Sequence, residues 1–194
     1  MDELINWAYG LSTEVIIFFV FIIIISYMIF FFLGTQLARE DRYRANFKVS
    51  FPQKIIWGIH ISCIVYILAI LCFSYFYISS HPTLGGEMGL MMVVVFGFMT
   101  IINSFTSYLF KRWNIFVCTN SIVFIPFIGR AKEATFKDIT ASISPSNTGI
   151  ENMTLTFKKE GSSVSLTSYY MNYNLFYKEL KEQGILGKNQ TAKR

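Results

Sequence analysis

Two polar side chains, His60 and Asn103, lie inside long apolar runs and are the first candidates for chemistry. Polar residues within membrane-spanning helices are rare and often mark a path for protons or ions. Antiparallel neighbouring helices would place both residues at a similar depth. The simpler interpretation is one interhelical hydrogen bond, worth about 0.6–2 kcal/mol. We favour the hydrogen bond, because these runs contain no Asp, Glu, Lys or Arg to complete a relay.

Small residues recur along one face of the third apolar run, where they permit close approach of helix backbones. The candidates for helix packing on this face are Gly89, Gly97, Thr100, Ser104 and Ser107. This face is either a seam with a partner helix or second copy, or a packing surface for the other helices of the same chain. We favour packing within the chain. The first run has no Gly or Ala from Val15 to Leu33, so we expect it, with Ile23, to face lipid at the rim.

Signatures of catalysis are missing from the sequence. It contains no phosphate-binding loop, no dinucleotide-binding glycine pattern, no H-E-x-x-H and no C-x-x-C. A metal site needs clustered His, Cys or carboxylates, whereas His60 and His81 are far apart. Cys63 and Cys72 lie in an apolar run, where cysteine usually behaves as a small hydrophobic residue. We predict no catalytic residues, no metal and no cofactor, and therefore a protein that is not an enzyme.

Three apolar runs must position these residues. Of the 194 residues, 53% are hydrophobic and only 15% are charged, compared with about 25% charged in soluble domains. The runs cover about 15–33, 55–78 and 88–110. A helix of about 20 apolar residues crosses a bilayer core. We predict a three-span membrane domain over residues 1–112, and the composition excludes a disordered chain.

Basic residues predict the orientation of these spans. All 17 Lys and Arg residues lie in residues 35–54 or from residue 111 onward. Cytoplasmic loops carry an excess of Lys and Arg, so we expect a multi-pass protein of the cell membrane, with its N-terminus outside and its C-terminal domain in the cytoplasm. The net charge of +5 fits this bias beside an anionic leaflet, without nucleic acid as a partner. The abundance of Ile, Phe, Lys and Asn is typical of an AT-rich bacterial genome.

Beyond Trp113 the apolar pattern changes from long runs to short alternating segments. Alternation with period 2 predicts about six antiparallel strands between residues 114 and 167. A helix with Asn172 as N-cap and Gly184 just after its end then follows, because apolar residues recur with helical spacing, at Tyr173, Phe176, Tyr177 and Leu180. We predict an α+β architecture, with a small β domain over 113–186 and a basic tail over 187–194.

The order of these motifs resembles a known family. A hairpin is followed by Pro126-x-x-Gly129-Arg130, by Phe136-Lys137-Asp138-Ile139, by a strand pair turning at Gly161, and by the closing helix. This order is similar to the pleckstrin-homology-like (PH-like) domain of small bacterial membrane proteins. The resemblance implies a partly open barrel plugged by the C-terminal helix. It also implies a scaffold for lipid, peptide or protein partners, with no catalytic residues.

The segments next to the predicted spans carry the candidate surface residues. These are Arg39, Arg42 and Arg44 in the first loop, and Lys111, Arg112 and Trp113 after the third span. Three extended residues reach at most about 10 Å, so the domain must stay near the headgroups. The two segments would then form one cytoplasmic surface that contacts anionic headgroups or a partner. The alternative is a basic loop that only sets the topology, and the sequence leaves both open.

Two functions remain after these exclusions. The first is a non-enzymatic, membrane-tethered interaction or regulatory module, whose domain binds a protein, peptide or lipid headgroup at the inner leaflet. Its partner would be the bilayer, another membrane protein or a second copy of the chain. The alternative is a small channel or transporter component. We favour the first, because a transport path normally contains ionisable residues and only His60 qualifies.

Overall fold

The computed structural model of the protein describes residues 13–37, 45–80, 84–145, 151–159 and 161–186. These residues belong to two compact units. The first takes in residues up to 36 together with 56–108, and the second takes in 37–55 and the chain from 109 onward. The first unit is helical, and the second contains the β structure. The predicted long apolar helices, antiparallel strands and closing helix are confirmed.

Three helices dominate the first unit: α1 (Thr13–Leu37), α2 (Gln53–Ser80) and α3 (Leu84–Arg112). Each contains a stretch of 22 to 27 residues that is long and apolar enough to cross a membrane. This finding indicates a multi-pass membrane protein. The helices extend the predicted spans by a few residues at each end, since helix formation continues into the polar flanks where hydropathy falls.

The buried centre of the helical unit includes α1, contrary to expectation. Ile23 is only 1% exposed and belongs to a core with residues of all three helices, although other α1 side chains such as Phe18 and Phe21 are exposed. A Cβ atom added to Gly97 would lie 2.7 Å from Ile23 Cδ1 and 3.3 Å from Phe19 Cε1. The prediction that Ile23 faces lipid is therefore wrong. Close packing needs a small residue on only one of the two helices, and Gly97 provides it.

A four-stranded antiparallel sheet opens the second unit. Its strands are β1 (Phe47–Ser50), β2 (Asn114–Val117), β3 (Ser121–Ile125) and β4 (Lys132–Thr135), in that spatial order. Strand β1 lies in the segment that we expected to be a loop. Its four residues are too few to show alternation, and its partner β2 is distant in sequence, so no local pattern indicated it. In the chain, the hairpin of α2 and α3 is inserted between these paired strands.

A second antiparallel sheet follows a short 3₁₀ turn at Phe136–Asp138. Its strands are β5 (Ile139–Pro145), β6 (Glu151–Phe157) and β7 (Ser162–Thr167), in that order. Every second residue of β6 is buried from Met153 to Phe157. This alternation is the period-2 pattern that the sequence predicted, because one face of an antiparallel sheet packs on the core and the other faces outward.

The closing helix α4 (Tyr173–Glu182) seals the core of the second unit. Its buried side chains, Tyr173, Phe176 and Leu180, pack in one cluster with residues of both sheets. Asn172 precedes this helix as predicted but does not cap it with its side chain. Its left-handed backbone, with φ of 62°, differs from the extended conformation of a capping residue. Instead, Asn172 Nδ2 donates a hydrogen bond to the Lys48 carbonyl, 2.8 Å away.

Candidate functional site

An aromatic cluster lies within the second unit, where the helix ends meet the sheet. It consists of Phe51, Phe110, Trp113, Phe127 and Tyr170. Phe51 stacks on Phe110 with ring centroids 4.4 Å apart, and it makes an edge contact with Tyr170 at 4.8 Å. The Trp113 and Tyr170 centroids are 4.7 Å apart. Aromatic pairs contribute about 0.5–1.5 kcal/mol each beyond their burial, so this cluster stabilises the second unit.

Each ring of the aromatic cluster comes from the end of a different element. Phe51 follows β1, Phe110 lies in the last turn of α3 and Trp113 immediately precedes β2. Phe127 follows β3, and Tyr170 lies between β7 and α4. Of these five residues, only Trp113 was a candidate surface residue from the sequence. The available signal was an aromatic residue next to each predicted boundary, which becomes informative only once the strand order is known.

Hydrogen bonds fasten the last turn of α3 within the second unit. Asn114 Nδ2 donates to the carbonyls of Lys111 and Arg112, at 2.6 and 3.1 Å, and so satisfies two carbonyls at the helix end. The Arg112 guanidinium donates to the Gly129 carbonyl in the turn between β3 and β4. Gly129 has φ of 110°, which favours glycine at this position. The turn is therefore attached to the end of α3.

The residues predicted to face a membrane or partner occupy different environments. Trp113 is only 4% exposed, so protein rather than headgroups surrounds its ring. Lys111 and Arg112 are half-buried. Arg39, Arg42 and Arg44 lie outside the described residues. Within the described part of the first loop, Phe47–Ser50 pairs directly with Asn114–Val117, so this loop contributes to the domain itself.

His60 is the centre of a separate polar contact in the helical unit. It is 5% exposed, and its Nε2 atom lies 3.1 Å from Ser107 Oγ on α3. Its Nδ1 atom lies 3.5 Å from Tyr27 Oη on α1, at the limit of a hydrogen bond. The ring also makes an edge contact with Phe31. The structure thus brings His60 together with Ser107 and Tyr27, and Asn103 is partly exposed on α3. The helical register of Ser107 was visible in the sequence, but the approach of α1 was not.

The small face of α3 is used inside the helical unit. A Cβ atom on Gly89 would lie 3.1 Å from the Phe73 carbonyl oxygen of α2, so backbone contacts backbone there. Thr100 and Ser104 are buried and bond to carbonyls of their own helix. Ser104 Oγ also lies 3.8 Å from Cys63 Sγ of α2. These contacts use the face for packing within the chain.

Polar contacts connect the two sheets at the motif Phe136-Lys137-Asp138-Ile139. The Thr135 hydroxyl donates to Asp138 at 2.8 Å, and Lys159 forms an ion pair with the same carboxylate at 3.1 Å. These interactions, the Thr135 bond first, hold the pKa of Asp138 below its ordinary value. The carboxylate is thus engaged in structural bonds at the corner where β4 is followed by β5.

Comparisons with known proteins give no relative. No protein-family model, no curated protein and no solved structure matches the chain. Among the described residues, no group of three His, Cys, Asp or Glu side chains is placed to hold a metal ion. A functional proposal therefore rests on the aromatic cluster and on the four-stranded sheet, which combines β1 with the strands that follow α3.

Proposed function

We propose that the protein is a non-enzymatic, membrane-tethered interaction module. Its β domain binds a protein, a peptide or a lipid headgroup at the inner leaflet of the cell membrane. The pairing of β1 with β2 is the observation that carries this proposal. This sheet is assembled from the segments before α2 and after α3, so it is tethered to the bilayer at two points. The domain can therefore bind only those partners that lie at the membrane surface.

The same pairing supports the proposed topology. Hydrogen-bonded strands must lie on one side of a membrane, so β1 and β2 share a side. Helices α2 and α3 lie between them in the chain and cross the bilayer as a pair. The N-terminus then lies on the opposite side, one crossing away. The concentration of Lys and Arg in the segments on the domain side supports a cytoplasmic domain.

Three features support a PH-like fold for the domain. The seven strands in the described part of the chain divide into antiparallel sheets of four and three, and a helix follows them. The buried face of α4 enters a core that both sheets share, as in a barrel plugged by its C-terminal helix. The motif from Phe136 to Ile139 lies between β4 and the start of the second sheet. A PH-like fold is a scaffold for binding, consistent with an interaction module.

Affinity purification from native membranes in mild detergent tests this function. The informative variant is Leu166→Asp, because Leu166 is fully buried in β7 and a buried carboxylate disrupts the domain. Ser165→Asp is the matched control, since Ser165 is the exposed neighbour on the same strand. We expect a co-purifying protein or lipid species with the wild type and with Ser165→Asp, and its loss with Leu166→Asp. An unchanged set of bound molecules in Leu166→Asp would contradict the proposal.

Reporter fusions test the topology separately. A reporter that is active only in the cytoplasm should be active after residue 194 and inactive after residue 83. The two positions lie on opposite sides of α3, which makes each the control for the other. Activity of an exterior-only reporter after residue 194 would reverse the proposed orientation.

A further inference from the structure

Two large apolar side chains project beside the aromatic cluster. Ile128 is 76% exposed and Tyr169 is 67% exposed, the largest such values among the exposed large hydrophobic residues of the second unit. Each one adjoins a member of the aromatic cluster in sequence, since Ile128 follows Phe127 and Tyr169 precedes Tyr170. In each pair one residue packs on the aromatic cluster and its neighbour projects outward. A membrane lying against this part of the domain would bury both side chains from water.

The turn that carries Ile128 is positioned by α3. The Arg112 guanidinium binds the Gly129 carbonyl, one residue beyond Ile128. Phe127 packs within 6.1 Å of the Phe110 ring in the last turn of the same helix. Both contacts place Ile128 beside the C-terminal end of a helix that is apolar enough to cross a membrane. A bilayer entered by α3 would have its interface close to this turn.

Tyr169 is positioned by the same aromatic cluster. It lies in a turn that is closed by a hydrogen bond of 3.1 Å from the Tyr170 amide to the Thr167 carbonyl. The adjacent Tyr170 ring packs on Phe51 and Trp113, the residues that join β1 to α2 and α3 to β2. Tyrosine is enriched where membranes meet water, because its ring is apolar and its hydroxyl is polar.

Basic side chains accompany these two apolar residues. Arg130 is exposed two positions after Ile128, and Lys54 is exposed in the first turn of α2. Lys111 and Arg112 lie at the end of α3. Positive side chains near a membrane surface attract anionic lipids. Exposed apolar side chains together with basic residues are the combination that binds an anionic leaflet.

We propose that Ile128 and Tyr169 insert into the anionic phospholipid leaflet that α2 and α3 enter, with Arg130 contacting lipid phosphates. Apolar groups of interfacial segments reach about 5–10 Å into the boundary between headgroups and acyl chains. This contact holds the domain against the leaflet and fixes which of its surfaces remains open to a partner. The inference rests on the membrane placement proposed above, and it is independent of the identity of the bound partner.

Depth-dependent fluorescence quenching tests the inference on the full chain. Cys63, Cys72 and Cys118 are first replaced by Ser, so that a fluorophore can be attached to a single new cysteine. Ile128→Cys and Tyr169→Cys are the test positions. The protein is reconstituted in phosphatidylglycerol vesicles that contain lipids with a nitroxide near the glycerol or at the middle of the acyl chain. Purified samples must retain the unlabelled protein's unfolding temperature.

Two control positions make the result interpretable. Asn120→Cys lies in the exposed turn between β2 and β3, at the far end of β2 from Trp113. Met99→Cys is an exposed position in the middle of α3. We expect a label at Met99 to lose fluorescence to the mid-chain nitroxide. Labels at Ile128 and Tyr169 should lose fluorescence to the glycerol-level nitroxide, and a label at Asn120 should lose none.

The outcomes separate this inference from the proposed membrane placement. Quenching at Met99 without quenching at Ile128 and Tyr169 would overturn the inference alone. Absence of quenching at Met99 would overturn the membrane placement and, with it, the inference. The Arg130→Glu variant adds a second readout, because it should reduce the quenching of the Ile128 label. Unchanged quenching in that variant would remove Arg130 from the lipid contact.

Discussion

Val49 lies directly opposite Ile115 in an antiparallel pair of strands, although α2 and α3 separate the two residues in the chain. Both side chains are fully buried in the core of the domain. The segment after α3 therefore lacks one strand of its own sheet, and the first loop supplies it. Because β2 pairs with β1 on one side and β3 on the other, the domain is complete only when both segments lie on the same side of the membrane.

Removal of the Val49 side chain should destabilise the domain. Val49→Ala deletes two buried methyl groups, and we expect a loss of about 2 kcal/mol from burial and cavity formation. Val65→Ala is the matched control, since Val65 is 54% exposed on α2. Resistance of the domain to limited proteolysis over a temperature series in detergent measures the effect. Equal protection of both variants would place β1 outside the domain core.

A bulky residue at Gly97 should force α1 and α3 apart. Its missing Cβ would lie 2.7 Å from Ile23 Cδ1, so Gly97→Leu overpacks the helical core, at a cost of about 1–3 kcal/mol. Gly58→Leu is the matched control, because no atom lies within 4 Å of the Cβ position at Gly58. Thermal unfolding in detergent compares the two. A smaller effect at Gly97 than at Gly58 would mean that these helices do not pack there.

The His60 contact should stabilise the helices without conducting ions. His60→Leu and Ser107→Ala remove the two sides of the 3.1 Å contact between α2 and α3. A double-mutant cycle of unfolding free energies should give a coupling of about 0.6–2 kcal/mol, the range for interhelical hydrogen bonds in membranes. Proton flux into proteoliposomes should be no faster with the wild type than with His60→Leu. A flux that depends on His60 would favour the channel alternative.

The hydroxyl of Tyr173 is expected to destabilise the domain. The group is buried and has no hydrogen-bond partner among the described residues. Tyr173→Phe should therefore stabilise the domain by about 1 kcal/mol at neutral pH, because the cost of burying an unpaired hydroxyl disappears. Tyr169→Phe, at an exposed position, is the control, and it should change the unfolding free energy little in detergent, where no leaflet contacts this residue. A loss of stability in Tyr173→Phe would reveal a partner for this hydroxyl.

The pH dependence provides a second test of Tyr173. Burial first, and then the charges of Glu151 and Tyr177, raise the pKa of Tyr173 from 10.0 to about 12 in the folded domain. The Tyr173 hydroxyl of the unfolded chain ionises at the lower value. Below pH 10.0 the hydroxyl is neutral in both states, and as the pH rises towards 12 it ionises first in the unfolded chain, so the free energy of unfolding of the domain falls. The stability advantage of Tyr173→Phe should accordingly widen across this interval. An advantage that stays constant with pH would contradict the raised pKa.

The sequence predicted those elements whose pattern is local. Long apolar runs identified α1, α2 and α3, since about 20 apolar residues are sufficient evidence for a helix of this kind. Alternation identified β6, and helical spacing identified α4, because in each the buried residues repeat along a single segment. The left-handed Gly184 also stands where glycine predicted the end of a helix.

The sequence could not predict contacts between distant segments. Strand β1 has only four residues, and its burial depends on β2, which follows two intervening helices. Ile23 is apolar in a run where every neighbour is apolar, so hydropathy could not distinguish its buried position from the exposed position of Phe21. The aromatic cluster could not be predicted for the same reason, because Phe51 and Tyr170 become neighbours only through the strand order.

Disulfide formation between β1 and β2 tests the central claim, that the first loop and the segment after α3 form one domain. Phe47→Cys and Val117→Cys occupy opposite positions in the pair, in a chain whose native cysteines are replaced. Ser50→Cys with Val117→Cys is the control, because three strand residues offset it by about 10 Å, beyond the reach of a disulfide. In native membranes under mild oxidation, we predict a crosslink within the chain for the first pair and none for the second. No crosslink in the first pair, or equal crosslinking in both, would contradict the account.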